Sequence, residues 1–216
     1  PGPADPEAMA AFRTRHGDKL GILGAVICTG GVEHRYESVR NALAHVPASA
    51  THIAVHDAAR PGASPELIER VLDAAKRHDA VVPALDIADT LKRVSAEALP
   101  APVDPLAAIL GASDGGGPAG AALPRERAVR ETVDRAHLVA VQTPQVFRGE
   151  VLRRAYQQPN LSSTDDAQLV ERLGVQVVVV AGEKRNLKVT LPEDLTLIRA
   201  MLGYRGGAEK PAHLRF

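Results

Sequence analysis

The chain has 216 residues, 45% of them hydrophobic, and its 26 Lys+Arg balance 26 Asp+Glu to a formal net charge of +0. That balance argues against a broad electrostatic nucleic-acid binder and leaves room only for a local basic pocket, while no apolar run is long enough to span a membrane. A single cysteine, Cys28, excludes an internal disulfide and a Cys-based zinc knuckle, and with no signal peptide in view a cytoplasmic location is expected.

Asp5-Pro6-Glu7 reads as a helix start, with Ala8, Met9 and Phe12 as an apolar stripe and Gly17 as the stop. The continuous apolar run from Gly21 to Cys28 predicts a strand buried on both faces, with Cys28 in the core and Thr29-Gly30-Gly31 ending it. A short helix is predicted from about Ser38 to His45. Ile53-Ala54-Val55 reads as a short buried strand that delivers the chain to His56-Asp57-Ala58-Ala59-Arg60-Pro61. Pro61 and Gly62 break the chain there. Ser64 as N-cap, Pro65 at the first helical position and Glu66 at the positive helix end then open a helix reaching about Arg77, with Leu67, Ile68, Val71, Leu72 and Ala75 on one face.

Ala80 to Leu85 predicts another strand, and Pro83 suggests an edge or a bulge in it. From Ser95 to Ala128 the pattern dissolves into Ala, Pro and Gly, which reads as a flexible excursion. The glycines at 115–120 in it are not a phosphate loop, because no strand precedes them and no Lys-Ser or Lys-Thr follows. His137 to Val141 reads as a strand, and helices are predicted at about Gly149–Gln157 and Thr164–Leu173. Val175 to Val180 is a strongly marked strand and Asn186 to Thr190 a further extended piece. Pro192-Glu193-Asp194 opens the last helix, Gly203 closes it, and the tail at 206–216 reads as loose. Alternating strands and helices predict an α/β fold: one domain over 1–216 with a doubly wound, mainly parallel sheet and helices on both faces.

A catalytic zinc site is not expected, and no Gly-x-Ser-x-Gly elbow is present for an acyl-transfer serine. What remains is a set of polar residues in loops beside strand ends: Gly30-Gly31, Asp57 with Arg60, Asp89-Thr90 with Lys92, Thr143, Thr164-Asp165-Asp166, and Asn186 with Lys188. Singly, each has a plain structural reading. Asp57 and Arg60 can tie down a loop, Ser163 to Asp166 can be an N-cap, and Lys188 can be the wet face of a strand. Together they suggest one crevice with several cations and few carboxylates, which suits a phosphorylated substrate held with Mg²⁺.

Six segments occur in order: His56-Asp57-Ala58-Ala59-Arg60-Pro61, Asp89-Thr90-Leu91-Lys92, Thr132-Val133-Asp134-Arg135, Gln142-Thr143-Pro144-Gln145, Thr164-Asp165-Asp166-Ala167, and Asn186-Leu187-Lys188-Val189-Thr190 with Pro192-Glu193-Asp194-Leu195. The set resembles the 2-C-methyl-D-erythritol 4-phosphate cytidylyltransferases of the non-mevalonate isoprenoid pathway. Gly30-Gly31 with Arg35 and Ser38 looks like the family's Gly-Gly…Arg…Ser-Val segment. The resemblance implies a Rossmann-like nucleotidyltransferase in which the substrate's phosphate attacks the α-phosphorus of CTP and pyrophosphate leaves. It further implies Asp57 as a ligand of Mg²⁺, with Arg60, Thr90, Thr143 and Thr164 lining the substrate site. Arg135 and Lys188 would position the attacking phosphate, and Gly30, Gly31 and Ser38, with Asp57, would face the nucleotide. An arm at about 93–136, carrying a flexible insertion at about 95–128, would cross to a second subunit, so that Arg135 acts in the partner's site of a homodimer. Neither nucleic acid nor a membrane is an implied partner.

The sequence departs from the family pattern in three places. The family opens with a strand and a glycine-rich loop bearing an Arg and a Lys; no such segment precedes Pro1, so the sequence is expected to be N-terminally incomplete. Three residues separate Gly31 from Arg35 where the family usually has two. The excursion is longer than the usual arm. Two other readings stay open: a cytidylyltransferase for ribitol 5-phosphate or another polyol phosphate, and a non-catalytic dimeric binding module without the triphosphate loop.

Overall fold

The computed structural model describes residues 1–99 and 126–204. Most of the expected excursion at 95–128 and all of the tail at 206–216 lie outside the described residues. In chain order the elements are α1 (Pro6–Ile22), α2 (Arg35–Leu43), β1 (His52–Val55), α3 (Pro65–Ala75), β2 (Ala80–Asp86), β3 (Leu91–Val94) and β4 (Val129–Val133). They continue with β5 (Val139–Val141), β6 (Gln145–Arg148), α4 (Gly149–Ala155), α5 (Asp166–Glu171), β7 (Val178–Ala181) and α6 (Pro192–Met201). The chain forms two compact units: Pro1–Leu85 with Ala140–Phe216, and Asp86–Val139.

The first unit is built on a mixed sheet of order β1-β6-β2-β5, with β7 also paired to β2. β6 runs antiparallel to β1 and to β2, and β2 runs parallel to β7. β1, β2 and β7 therefore point one way and β6 the other. Side chains alternate between faces along a strand, and the core divides accordingly. Ala80, Val82, Phe147 and Ile53 pack on one face with Leu43, Leu152 and Leu169 from α2, α4 and α5. Val81 and Val146 pack on the other with Leu67, Val71, Ala74 and Ala75 of α3. This is the α/β arrangement with helices on both faces that the alternation of elements predicted.

Several local expectations give way. α1 runs straight through Gly17, because a helix-interior glycine costs only about 1 kcal/mol relative to alanine. The stop is Gly24, left-handed at φ 72°, with Gly24 N–H on Gly21 O and Ala25 N–H on Leu20 O. The strand predicted from Gly21 to Cys28 does not form. Among the described residues only the bridge between Gly2 and Thr29 pairs its end, and Ile22, Leu23 and Val26 are exposed. An apolar run becomes a strand only where neighbours complete its ladder and cover its faces. Cys28 itself is buried.

Pro83 lies in β2, the most connected strand of the sheet, and not at an edge. Its carbonyl accepts from Gln142 N–H at 2.7 Å. The N–H and C=O of one strand residue point the same way, so the missing donor faces the side where the neighbour is only the three-residue β5. α2 begins at Arg35, three residues before the predicted start. The strand predicted from Val175 shortens to Val178–Ala181. Asn186 to Thr190 forms no strand, although Val189 N–H donates to Ala59 O at 2.8 Å. β6, four residues long, was not anticipated at all.

In the second unit β3 and β4 form an antiparallel ladder, with Leu91 opposite Val133. Lys92 Nζ donates to Thr132 Oγ1 across it at 2.6 Å.

Phe147 is fully buried at the middle of the larger core. Phe147→Ala is expected to lower unfolding free energy by about 3–5 kcal/mol, as read by chemical denaturation. A loss under ~1 kcal/mol would mean that the core is not centred on β6.

Candidate active site

β1 ends at Val55 and hands the chain to His56 and Asp57. Arg60 N–H closes a turn on Asp57 O at 2.9 Å. The Thr143 hydroxyl, just past β5, accepts from Asp57 N–H and pairs with His56 Nδ1, both at 3.0 Å. His56 Nε2 lies 3.1 Å from Arg60 O. All three contacts are satisfied at once when Nε2 carries the proton and the hydroxyl donates to Nδ1. Gly62 follows, and a Cβ there would meet Arg185 O at 2.1 Å, so only glycine lets the loop after β1 pack on the loop after β7.

Two buried amides hold that second loop. Gln142 Nε2 donates to Glu183 O at 2.9 Å and Asn186 O at 3.3 Å, and its Oε1 accepts from Glu183 N–H at 3.1 Å. Asn186 Nδ2 donates to Thr143 O at 2.8 Å. Arg60 Nη1 donates to Asn186 O at 2.8 Å. Ser64 caps α3 by accepting from Leu67 N–H at 3.0 Å, and its hydroxyl also binds the Glu183 carboxylate at 2.7 Å. Three loops that follow β1, β5 and β7 are therefore one hydrogen-bonded assembly.

Charge collects at its centre. Asp57 Oδ1 lies 3.2 Å from Arg35 Nε, and Oδ2 lies 3.3 Å from Lys188 Nζ and 3.6 Å from Arg60 Nε. Burial alone would raise the Asp57 carboxyl, but Arg35 and Lys188 beside it outweigh burial and hold it below the usual carboxylate range. Arg60 Nε is buried with no hydrogen-bond partner among the described residues. Arg35 Nη1 also grips Asp166 Oδ2 at 2.7 Å; Asp166 is fully buried and its Oδ1 accepts from the Tyr156 hydroxyl. Burial, then the adjacent carboxylate, push the Tyr156 phenol well above its ordinary range.

A cavity of about 110 Å³ opens here, lined by Arg35, Asp57, Arg60, Thr143, Thr164 and Lys188, with Val141, Gln142, Gln145 and Asp165. Three cations face two carboxylates. An anion finds Arg60 and Lys188 to pair with, a hydroxyl, and one buried guanidinium N–H without a partner among the described residues.

Of the residues singled out from sequence, Asp57, Arg60, Thr143, Thr164 and Lys188 come together in this cavity. Thr90 and Arg135 belong to the second unit. There Arg135 Nη1 donates to Ile87 O at 3.3 Å and to Ala88 O. Gly30, Gly31 and Ser38 do not line the cavity. They form a turn beside α2 in which Gly31 N–H donates to Ser38 Oγ at 2.7 Å and Gly30 N–H to Gly2 O at 2.8 Å. Arg35, one turn ahead of Ser38, does reach the cavity despite the extra residue between it and Gly31. Asp166 and Asn186 stand among the expected crevice residues and Gln142 in one of the six segments, but none of them is given a role there, and Tyr156 is not singled out at all. Tyr156 lies just past α4, between Ala155 and Gln157, and nothing in that local pattern marks it.

Among the described residues no group of three or more His, Cys, Asp or Glu side chains could hold a metal. Mg²⁺, however, takes one or two carboxylates and completes its shell with substrate phosphates and water. Asp57 and Asp165 in the cavity fit an ion carried in with a nucleotide's phosphates, and do not fit one bound by protein alone.

An α/β sheet with a cationic crevice beside the carboxyl ends of its strands is the arrangement of the doubly wound class. The model of the 2-C-methyl-D-erythritol 4-phosphate cytidylyltransferase family matches residues 6–103 and 121–204, and the chain belongs to that family. It is similar to proteins described as 2-C-methyl-D-erythritol 4-phosphate cytidylyltransferase from Dehalococcoides mccartyi strain CBDB1, at 35% identity over 176 residues, and Streptomyces avermitilis, at 39% over 181. These alignments cover 82% and 83% of this chain but 64% and 63% of the relatives, so the chain spans less than two thirds of their length. The crystal structure of 2-C-methyl-D-erythritol 4-phosphate cytidylyltransferase from Thermus thermophilus superposes with a TM-score of 0.63 at 36% identity, covering 84% of this chain and 75% of that one. Among the described residues no helix is long and apolar enough to cross a membrane.

Thr143→Val removes the acceptor for Asp57 N–H and the donor to His56 while keeping side-chain volume. A loss of about 1–3 kcal/mol is expected from equilibrium denaturation. An unchanged unfolding midpoint would show that the hydroxyl does not hold the turn.

Proposed function

We propose that this chain carries the activity for which its family is named. CTP and 2-C-methyl-D-erythritol 4-phosphate would be joined to give 4-diphosphocytidyl-2-C-methyl-D-erythritol and pyrophosphate. The observation that carries the reading is the convergence of Arg35, Arg60 and Lys188 on Asp57 in one cavity, with the Arg60 Nε donor unpartnered. The attacking phosphate is already anionic near neutral pH, so no general base is required. The chain's task is to bring anions together and stabilise the crowded charge.

Lys188 would pass from Asp57 to the attacking phosphate, with Arg60, Thr143 and Thr164 lining the substrate site beside it. Gly30, Gly31 and Ser38 would face the nucleotide. Mg²⁺, held by Asp57 and phosphate oxygens, would neutralise the nucleotide's charge when bound. Thr90 would line the substrate site, and Arg135 would act in the partner's site, so a homodimer is part of the proposal. A cytoplasmic site of action completes it.

Pyrophosphate release from CTP, measured with methylerythritol phosphate, with ribitol 5-phosphate and with no acceptor, tests the reading. Turnover with the first substrate alone is expected; release with ribitol 5-phosphate alone would reassign the acceptor. Lys188→Ala is expected to cut turnover by about two to three orders of magnitude, with the oligomeric state on a sizing column unchanged. Near-normal turnover in that variant would sink the assignment. Asp57→Asn is expected to abolish the Mg²⁺ dependence of CTP binding in calorimetry, and an unaltered Mg²⁺ titration would remove Asp57 from the metal's ligands.

A further inference from the structure

Arg35, Asp166 and Tyr156 have no assigned part in the chemistry above, yet they form a polar chain that runs from the cavity into the core. Arg35 spans two carboxylates: Nε on Asp57 Oδ1 at 3.2 Å and Nη1 on Asp166 Oδ2 at 2.7 Å. Asp166 is fully buried, does not line the cavity, and accepts from Tyr156 on its other oxygen. The three groups come from α2, α5 and the end of α4, all packed on one face of the sheet.

A buried carboxylate with both oxygens engaged has little freedom. A guanidinium gripping it presents its remaining edge in a fixed direction, because the five donors of arginine form a rigid plane. Asp57 Oδ1 lies in that direction. With Oδ1 held, Oδ2 is aimed at Lys188 and Arg60. Lys188 is about half-exposed, and Asp57 is its only charged partner among the described residues. Its position thus depends on where Asp57 points.

We propose that Arg35, clamped by Asp166 and Tyr156, is a positioning residue that fixes the Asp57 carboxylate and through it Lys188. The consequence for turnover rests on the phosphate reading of the cavity; the positioning itself does not. The simpler alternative is that Arg35 is one more cation for the ligand. Lysine at 35 separates the two, since it keeps the charge but cannot bridge two carboxylates.

The test uses the full 216-residue chain without ligand. Acylation of Lys188 by a water-soluble reagent is followed by mass spectrometry, with exposed Lys76 as the internal standard. Arg35→Lys is expected to raise the Lys188 rate about threefold or more, because Lys188 loses a fixed partner. Tyr156→Phe, which removes one oxygen and keeps the ring, is expected to raise it less and covers the case in which the first variant does not fold. Affinity for inorganic pyrophosphate is expected to fall about tenfold in Arg35→Lys. Lys188 rates equal to the native chain's in whichever variants fold, or full pyrophosphate affinity in Arg35→Lys, would overturn the positioning role. If the native chain binds no pyrophosphate while Lys188 labelling rises as expected, the phosphate reading fails and the positioning role stands.

Discussion

One carboxylate, Asp57, lets three cations share a cavity of about 110 Å³. Two like charges ~4 Å apart at an effective dielectric of ~20 repel by about 4 kcal/mol. Asp57 is the anion that Arg35, Arg60 and Lys188 share, and its charge offsets their mutual repulsion. Asp57 is placed with little conformational freedom: its N–H is bound by Thr143, its carbonyl by Arg60 N–H, and its Oδ1 by Arg35. Much of the surrounding architecture serves that placement. Gly62 lets two loops touch, Gln142 and Asn186 tie the loop after β7 to the one after β5, and Ser64 links the start of α3 to Glu183.

Where the sequence reported on local chemistry, it reported well. Ser64-Pro65-Glu66 is a helix start on capping grounds alone, and Ser64 Oγ accepts from Leu67 N–H as such a cap must. Asp57, Arg60, Thr143, Thr164 and Lys188 were legible as loop residues beside strand ends, and a doubly wound sheet brings such loops to one edge. Their meeting in a single cavity is therefore a consequence of topology, even though Asp57 and Lys188 are 131 positions apart in the chain.

What could not be read depended on tertiary context. The run from Gly21 to Cys28 has a buried strand's composition, but composition does not say whether a neighbour is present to pair with it. Pro83 argued for an edge by a rule about missing donors; only the pairing shows that the donor would have faced the shortest strand. Asp166 looked like a second acid at a helix start, and nothing local distinguishes it from Asp165, which is the cap. Its importance comes from Arg35 and Tyr156, and no sequence pattern announces a buried contact across three helices.

The three cations around Asp57 are not equivalent, and the difference bears on how the cavity can work. Arg35 is tied to Asp166, and Arg60 is mostly buried with Nη1 on Asn186 O. Lys188 alone has no second anchor among the described residues, and it is the most exposed of the three at 45%, against 34% and 12%. A lysine is a compact charge on a flexible stem, whereas each arginine here is a fixed fork. In the proposed reaction an incoming phosphate would therefore meet two cations already in place and one that can leave Asp57 to follow it. Fixed donors stabilise charge without reorganising, and a single mobile one lets the cavity fill and empty without breaking the buried network behind it.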